Sequence, residues 1–141
     1  MARIKIALPQ TIHFTAVLPI RITDLNYGKH LANDKVLSLC HEARVQLLAN
    51  YQYDEFNIEG IGIIMAEATI QFVKEGKFGM TLKIETTIAD LSAMGFSIYY
   101  HLKDKESEKT IAKAKTGMVF YDYEQSKIAK TPAAFETKFS M

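Results

Sequence analysis

The chain has 141 residues, 48% of them hydrophobic and 23% charged, with a formal net charge of +1. That length supports one domain with a single core, and the composition is that of a folded globular protein, not a disordered or fibrous one. The near balance of charge gives no electrostatic basis for a nucleic-acid partner. Cys40 is the only cysteine, which excludes an intrachain disulfide and makes a reducing compartment, the cytoplasm, the expectation. Met1 to Gln10 lacks the apolar run and cleavage site of a signal peptide, and no run approaches the ~20 apolar residues of a membrane helix, so no membrane partner is expected.

Ile12, Phe14, Ala16, Leu18, Ile20 and Ile22 alternate with polar neighbours, a period of two that predicts a strand with one buried face. Pro19 cannot donate to a ladder and suits an edge or a bulge. A turn at Gly28 follows, then a helix of about eighteen residues with Asn33 or Asp34 as its N-cap. Val36, Leu37, Cys40, Ala43, Leu47, Leu48 and Tyr51 form one face of it. Leu39 and Val45 lie off that face, so the helix is expected to be enclosed by other structure. Asp54 to Gly60 reads as a polar connection with room for one helical turn. Ile61 to Val73 is apolar on both faces and suits a central strand covered on both sides. Lys74 to Gly79 carries two glycines and reads as a bulge or turn.

Three more alternating runs follow: Met80 to Ile88, Phe96 to Lys103 and Thr110 to Tyr123, separated by short polar turns. Short turns favour an antiparallel sheet, and with one enclosed helix the class is α+β. The core spans about residues 11–123, and 124–141 is expected to be a loosely held C-terminal tail of the same domain. Strands this long leave exposed edges, so pairing with a second copy is expected.

The polar chemistry concentrates where the first strand meets the helix. Asp24, Asn26, His30, Asn33 and Asp34 crowd one loop beside an apolar run. Each residue also has an ordinary structural reading. Asn26 can bond its own turn, His30 can hold the loop, and Glu42 can pair with a neighbouring arginine such as Arg44. Glu75, in a Lys-Glu-Gly turn, can be solvated surface, and Glu67 is either a buried, paired acid or the exposed side of its strand. Cys40 reads as core, and His41 has no partner at metal-ligand spacing, so no metal site is expected. Lys83, Lys103, Lys113 and Lys115 read as solvated strand faces, with the phosphate groups of a ligand as the alternative partner. Tyr99, Tyr100, Tyr121 and Tyr123 read as packing residues, with the lining of a ligand tunnel as the alternative.

The element order, with Asp24-Leu25-Asn26-x-x-x-His30-x-x-Asn33 at the junction and Glu42-Ala43-Arg44 on the helix, resembles the hotdog-fold acyl thioesterases over roughly residues 14–123. The resemblance is to the branch holding 4-hydroxybenzoyl-CoA thioesterases and plant acyl-carrier-protein thioesterases. Their junction commonly reads Asp-Leu-Asp-x-x-Gly-His-Val-Asn-Asn. Here the usual catalytic aspartate falls on Asn26 and the glycine before the histidine falls on Lys29, while His30 and Asn33 match.

The resemblance implies a hotdog fold, a curved antiparallel sheet of about five strands wrapped around one long central helix. It implies hydrolysis of an acyl thioester on coenzyme A or an acyl carrier protein, by a homodimer or tetramer. No cofactor is implied, coenzyme A being part of the substrate. The chemistry needs an attacking water, a base and donors for the oxyanion. Asn26, which cannot ionise, would position water or substrate, and His30 and Glu75 would activate the water. Glu42 is the competing carboxylate, with Glu67 ranked behind Glu75. Asp24, Gly28, Leu31, Asn33 and Asp34 would line the substrate site, the amides of Leu31 to Asp34 serving as oxyanion donors. The Asn26 departure keeps a second reading open, a non-catalytic acyl or acyl-CoA binder.

Overall fold

The computed structural model describes residues 4–140. Met1 to Arg3, part of the stretch read as carrying no signal peptide, and Met141, the end of the expected tail, lie outside the described residues.

Among the described residues, six strands, two α-helices and a 3-10 turn at Ile22–Asp24 make the fold: β1 Phe14–Pro19, α1 Asn33–Asn50, β2 Gly62–Phe72, β3 Thr81–Ala89, β4 Gly95–Asp104, β5 Thr110–Asp122, β6 Lys127–Ile128 and α2 Ala133–Phe139. The sheet is antiparallel in the order β1-β3-β4-β5-β2, with β6 added beside β5. α1 lies against its inner face. Val36, Cys40, Ala43, Leu47 and Leu48 on α1 are buried against Ile84, Ile98, Leu102, Ala112 and Ala114 of the sheet in one continuous core. Strand periodicity sets this up, since alternate residues of β3, β4 and β5 point at α1.

The turns between β3 and β4 and between β4 and β5 are hairpins, as their lengths predicted. The connection from β2 to β3 is not. β2 sits at one edge of the five-strand path and β3 is next to the other, so residues 73–80 cross the end of the sheet instead of turning back. The turn expected in Lys74 to Gly79 is present at Phe78 and Gly79, where the Met80 N–H donates to Lys77 O at 3.1 Å, while the bulge lies within β2, between Met65 and Glu67.

Ile61 to Val73 was expected to be a central strand, but β2 pairs only with β5 and is an edge. Met65 and Phe72 are more than 40% exposed. An apolar run on both faces identifies surface that needs covering, and along β2 the chain itself leaves part of it open. The enclosure of α1 is likewise incomplete, because Ser38, His41, Glu42 and Val45 face outward.

Asp54 to Gly60 forms turns closed by bridges Asp54–Asn57 and Ile58–Ile61, with no helical turn, and buries Ile58. The C-terminal segment is not loosely held. α2 buries Phe135 and Phe139, one helical turn apart, and Phe135 packs on Phe96 and Phe120 with ring centroids 4.8 and 5.3 Å away. That aromatic pair supplies the burial that fixes the segment.

Cys40 has no exposed surface, and burial pushes its thiol up to about 12. The thiolate is the reactive form. A disulfide thiol probe should therefore leave Cys40 unmodified in the native protein and titrate one thiol after denaturation. Rapid native reaction would show that α1 opens readily.

Candidate active site

Residues 25–31 close on themselves through a Leu25–Leu31 bridge, and Asn26 organises the loop inside it. The Asn26 N–H donates to the His30 carbonyl at 2.9 Å, and its own carbonyl accepts the Lys29 N–H at 3.0 Å. Its side-chain Oδ1 accepts from the N–H groups of Gly28 at 3.0 Å and His30 at 3.2 Å. The amide oxygen is thus committed to the loop, the structural role open to an asparagine in a turn.

Lys29 is held at φ 69°, in the left-handed region that favours glycine. That explains physically why the resembling enzymes carry glycine there. Lys29→Gly should relieve strain of about 1 kcal/mol and raise the melting temperature slightly in a thermal scan. A marked fall would mean that the lysine side chain holds the loop.

The helix start differs from the sequence expectation. Its N-cap is Ala32, not Asn33 or Asp34, and Ala32 has no side-chain acceptor. The Leu31 N–H donates to Gly76 O at 2.8 Å and the Ala32 N–H to Asp24 O at 2.9 Å, so neither amide is free for a ligand. Among the described residues the Asn33 and Asp34 amides have no backbone acceptor outside the helix. They stand at the positive end of the helix dipole.

The crossing loop brings the next carboxylate. Gly76 packs so closely that a Cβ there would meet Ile20 Cδ1 and Leu31 Cβ at 3.0 Å. With the Leu31 hydrogen bond, this pins the loop on the start of α1. Glu75 Oε2 consequently lies 3.2 Å from His30 Nδ1. The Nδ1 atom is cut off from solvent and makes no aligned hydrogen bond among the described residues. The carboxylate is close to it but off the bonding direction, and the Glu75 side chain is 63% exposed and free to swing.

Asn26, His30, Asn33, Lys74 and Glu75 share a cavity of about 300 Å³ with the apolar Leu31, Val36, Phe72, Ile111 and Ala112. Five expected site residues thus meet in one place: Asn26, His30, Leu31, Asn33 and Glu75. Leu31 contributes its side chain as wall. Gly28 is in the loop but not in the lining, and Asp34 is exposed on the first turn of α1.

Asp24 and Glu42 lie elsewhere, in a separate groove of about 530 Å³ on the other flank of α1. Asp24 is buried, accepting the Arg21 N–H at 2.8 Å and Arg21 Nη2 at 3.1 Å. Burial works to raise its pKa, but these hydrogen bonds and the Arg21 charge outweigh it and hold the carboxyl below its ordinary range. Exposed Glu42 accepts a hydrogen bond from Gln46 at 3.1 Å. Glu67 is the exposed side of β2, its side chain over Gly117.

Three of the four strand lysines, all but Lys113, have ion-pair partners among the described residues. Lys83 and Lys103 pair with Glu108, Lys103 also with Glu85, and Lys115 with Asp90. None of the four tyrosines lines the cavity. Sequence reasoning missed Phe72, Ile111 and Ala112 as cavity walls, since only the sheet order brings β2 and β5 beside His30.

Residues 20–139 match the model of the thioesterase-like superfamily, and the chain belongs to that superfamily. Its antiparallel sheet with one central helix is the hotdog arrangement. The 1,4-dihydroxy-2-naphthoyl-CoA thioesterase Slr0204 of Synechocystis is 25% identical, with a TM-score of 0.80 over 89% of this chain and 94% of that one. PA2801 of Pseudomonas aeruginosa is 17% identical, with a TM-score of 0.83 over 92% and 100%. YbaW of Escherichia coli is 18% identical, with a TM-score of 0.79 over 89% and 96%. At those identities the last two speak for the fold alone. No curated protein sequence matches the chain.

Proposed function

We propose that the chain hydrolyses an acyl thioester to the free acid and a thiol, with coenzyme A as the carrier and an acyl carrier protein as the alternative. The observation that carries this reading is the approach of Glu75 to the solvent-shielded Nδ1 of His30, beside the open amides of α1. A proton on Nδ1 facing Glu75 leaves Nε2 as the base. Nε2 takes a proton from water as the water oxygen attacks the thioester carbonyl. The oxyanion is held by the Asn33 and Asp34 amides. Collapse expels the thiolate, which recovers the proton from His30. Asn26 shapes the loop that presents His30.

The exposed edge of β2 supports assembly as a homodimer or a tetramer, because a second copy would cover Met65 and Phe72. The lone, buried Cys40 suits a reducing cytoplasm.

A second reading is favoured by Asn26 itself. Its Oδ1 is spent on the loop, and the carboxylate usual in the resembling enzymes is missing. The chain would then bind acyl thioesters without cleaving them.

Thiol release from acyl-CoA esters, short, long and aromatic, tests both readings. Turnover that falls sharply in His30→Ala supports the hydrolase. Absence of cleavage, with acyl-CoA raising the melting temperature, supports the binder. In that case Asn26→Asp, which keeps an oxygen for the loop and adds a free one, should create turnover.

A further inference from the structure

His13 stands just before β1, where the N-terminal segment, β3, the end of α1 and α2 meet. Its main chain extends the β1–β3 pairing by one step, the His13 N–H donating to Thr86 O at 2.8 Å. Its side chain adds a second bond, Nδ1 accepting the Ile88 N–H at 2.9 Å. A backbone N–H only donates, so Nδ1 carries no proton and the ring's one proton sits on Nε2. Phe139 of α2 packs nearly perpendicular to this ring, with centroids 5.2 Å apart, and also on Tyr51 at 5.0 Å. The Tyr51 hydroxyl in turn donates to His13 O at 3.4 Å. Through His13 the last turn of α2 is fastened to β3 and to the end of α1.

We propose that His13 is an acid-operated latch. Uncharged, it holds α2 on the sheet; on taking up a proton it lets α2 go and uncovers Phe96 and Phe120, on which Phe135 packs. The imidazolium has two N–H donors and no acceptor. It would set one N–H against that of Ile88, a residue with no accessible surface, and leave the Ile88 N–H without a partner. The ring then has to turn away from Ile88, and Phe139, which is buried, is packed against it. No neighbouring charge offsets this. The N-terminal segment from Ile6 to Ile12 is uncharged, as is β3 from Thr86 to Ala89. Asp90, just beyond β3, is engaged by Tyr99 and Lys115. On α2 the charged groups are Glu136 and Lys138, and the Lys138 ammonium lies over the Tyr53 and Tyr51 rings at 4.9 and 5.9 Å. Glu59, in the turn after α1, accepts from the Tyr53 hydroxyl. None of these acts on the His13 ring, which burial alone holds below the ordinary histidine pKa. A histidine so depressed contributes stability above its ordinary value and loses it as pH falls, so the latch opens on the acid side of neutrality.

The test is hydrogen exchange of the α2 amides in the full chain, each rate divided by its intrinsic rate at that pH. From about pH 7.5 to about pH 5.5, across the ordinary histidine value, protection of α2 should fall by up to about tenfold per pH unit, the limit for one proton. The amides of β4 should keep theirs. His13→Asn places an amide oxygen near the position of Nδ1, where it can accept the Ile88 N–H, and it does not titrate. That variant should hold α2 with protection that stays constant over the same range. Constant protection in the wild type overturns the latch, and so does a fall shared equally by β4, which is global unfolding. The same fall in His13→Asn also overturns it, since the other histidines and the Glu59–Tyr53–Lys138 contacts are unchanged there. Should His13→Asn not hold α2 at neutral pH, the ring-nitrogen chemical shifts of His13 in the wild type decide. A bare Nδ1 and titration below the ordinary value support the latch; a protonated Nδ1, or titration at or above that value, overturns it. None of these outcomes depends on whether the chain hydrolyses thioesters.

Discussion

Glu75→Gln should lower thioester turnover by about 10²–10⁴-fold, the range of a lost general acid–base group, with little change in the melting temperature. The fold is indifferent to the change because the Glu75 side chain is 63% exposed, and exposed substitutions away from special features cost little. The chemistry is not indifferent. In the proposed mechanism a carboxylate that starts 3.2 Å from His30 Nδ1 turns to accept its proton in a hydrogen bond and stabilises the imidazolium formed when Nε2 takes a proton from water. An amide does neither dependably, since it offers a donor as readily as an acceptor. The loss should appear in kcat more than in KM, because the interaction strengthens as charge develops on His30. His30→Ala should cost as much, and the double variant hardly more, because two groups acting as one unit are not additive. Full activity in Glu75→Gln would remove it from the mechanism and leave His30 to act without an orienting carboxylate.

The separation between what the sequence disclosed and what it hid follows from where the information sits. Periodicity is local, and it placed α1 and the alternating strands β3 to β5 within a residue or two of their observed bounds. The junction motif is local too, which is why His30 and Asn33 could be matched by spacing. The meeting of Glu75 with His30 was available only through the resemblance. In physical terms it depends on the β2–β3 connection crossing the sheet, and sheet order is non-local. The same non-locality hid β2 as an edge, since an apolar run reads alike whether a neighbouring strand or a second molecule covers it. The N-cap was misassigned because Asn33 has the side chain of a cap. The actual cap, Ala32, has no side-chain acceptor and leaves the Asn33 and Asp34 amides open, as the proposed oxyanion site requires. α2 could have been found, because Phe135 and Phe139 have the spacing of one helical turn.

Arg44 had a signal as well, a charge four residues from Cys40 and from Leu48 on the buried face of α1. Arg44→Ala should destabilise the protein by about 3 kcal/mol, the cost of emptying a buried site and of leaving Glu55, whose side chain is 29% exposed, with one partner fewer. Arg44 is 5% exposed, and its Nε donates to Glu55 Oε2 at 3.1 Å while Nη1 donates to the Tyr100 hydroxyl at 3.1 Å. Tyr100 is fully buried, and burial pushes its phenol up to about 12, against the pull of Arg44, so it remains neutral and bonds Thr116 at 2.8 Å. Removing the guanidinium leaves a void and strips Glu55 of one of its two partners, the other being His41 at 2.8 Å. For a chain of 141 residues the loss corresponds to a melting temperature lower by about 10 °C or more.

The pH dependence identifies the ion pair as the cause. Burial works to raise the Glu55 pKa, but hydrogen bonds from His41 and Arg44 and their charges lower it further, and the net shift is downward. A carboxyl whose folded pKa is depressed contributes stability above its unfolded pKa and loses that contribution as pH falls through the folded value. Wild type should therefore lose its advantage over Arg44→Ala as pH drops below the ordinary carboxylate range, with the two melting curves converging. The paired change Arg44→Met with Glu55→Gln, which removes both charges and keeps most of the volume, should recover much of the stability at neutral pH. If the gap between wild type and Arg44→Ala stays the same at every pH, the loss is packing alone and the ion pair adds nothing to the fold.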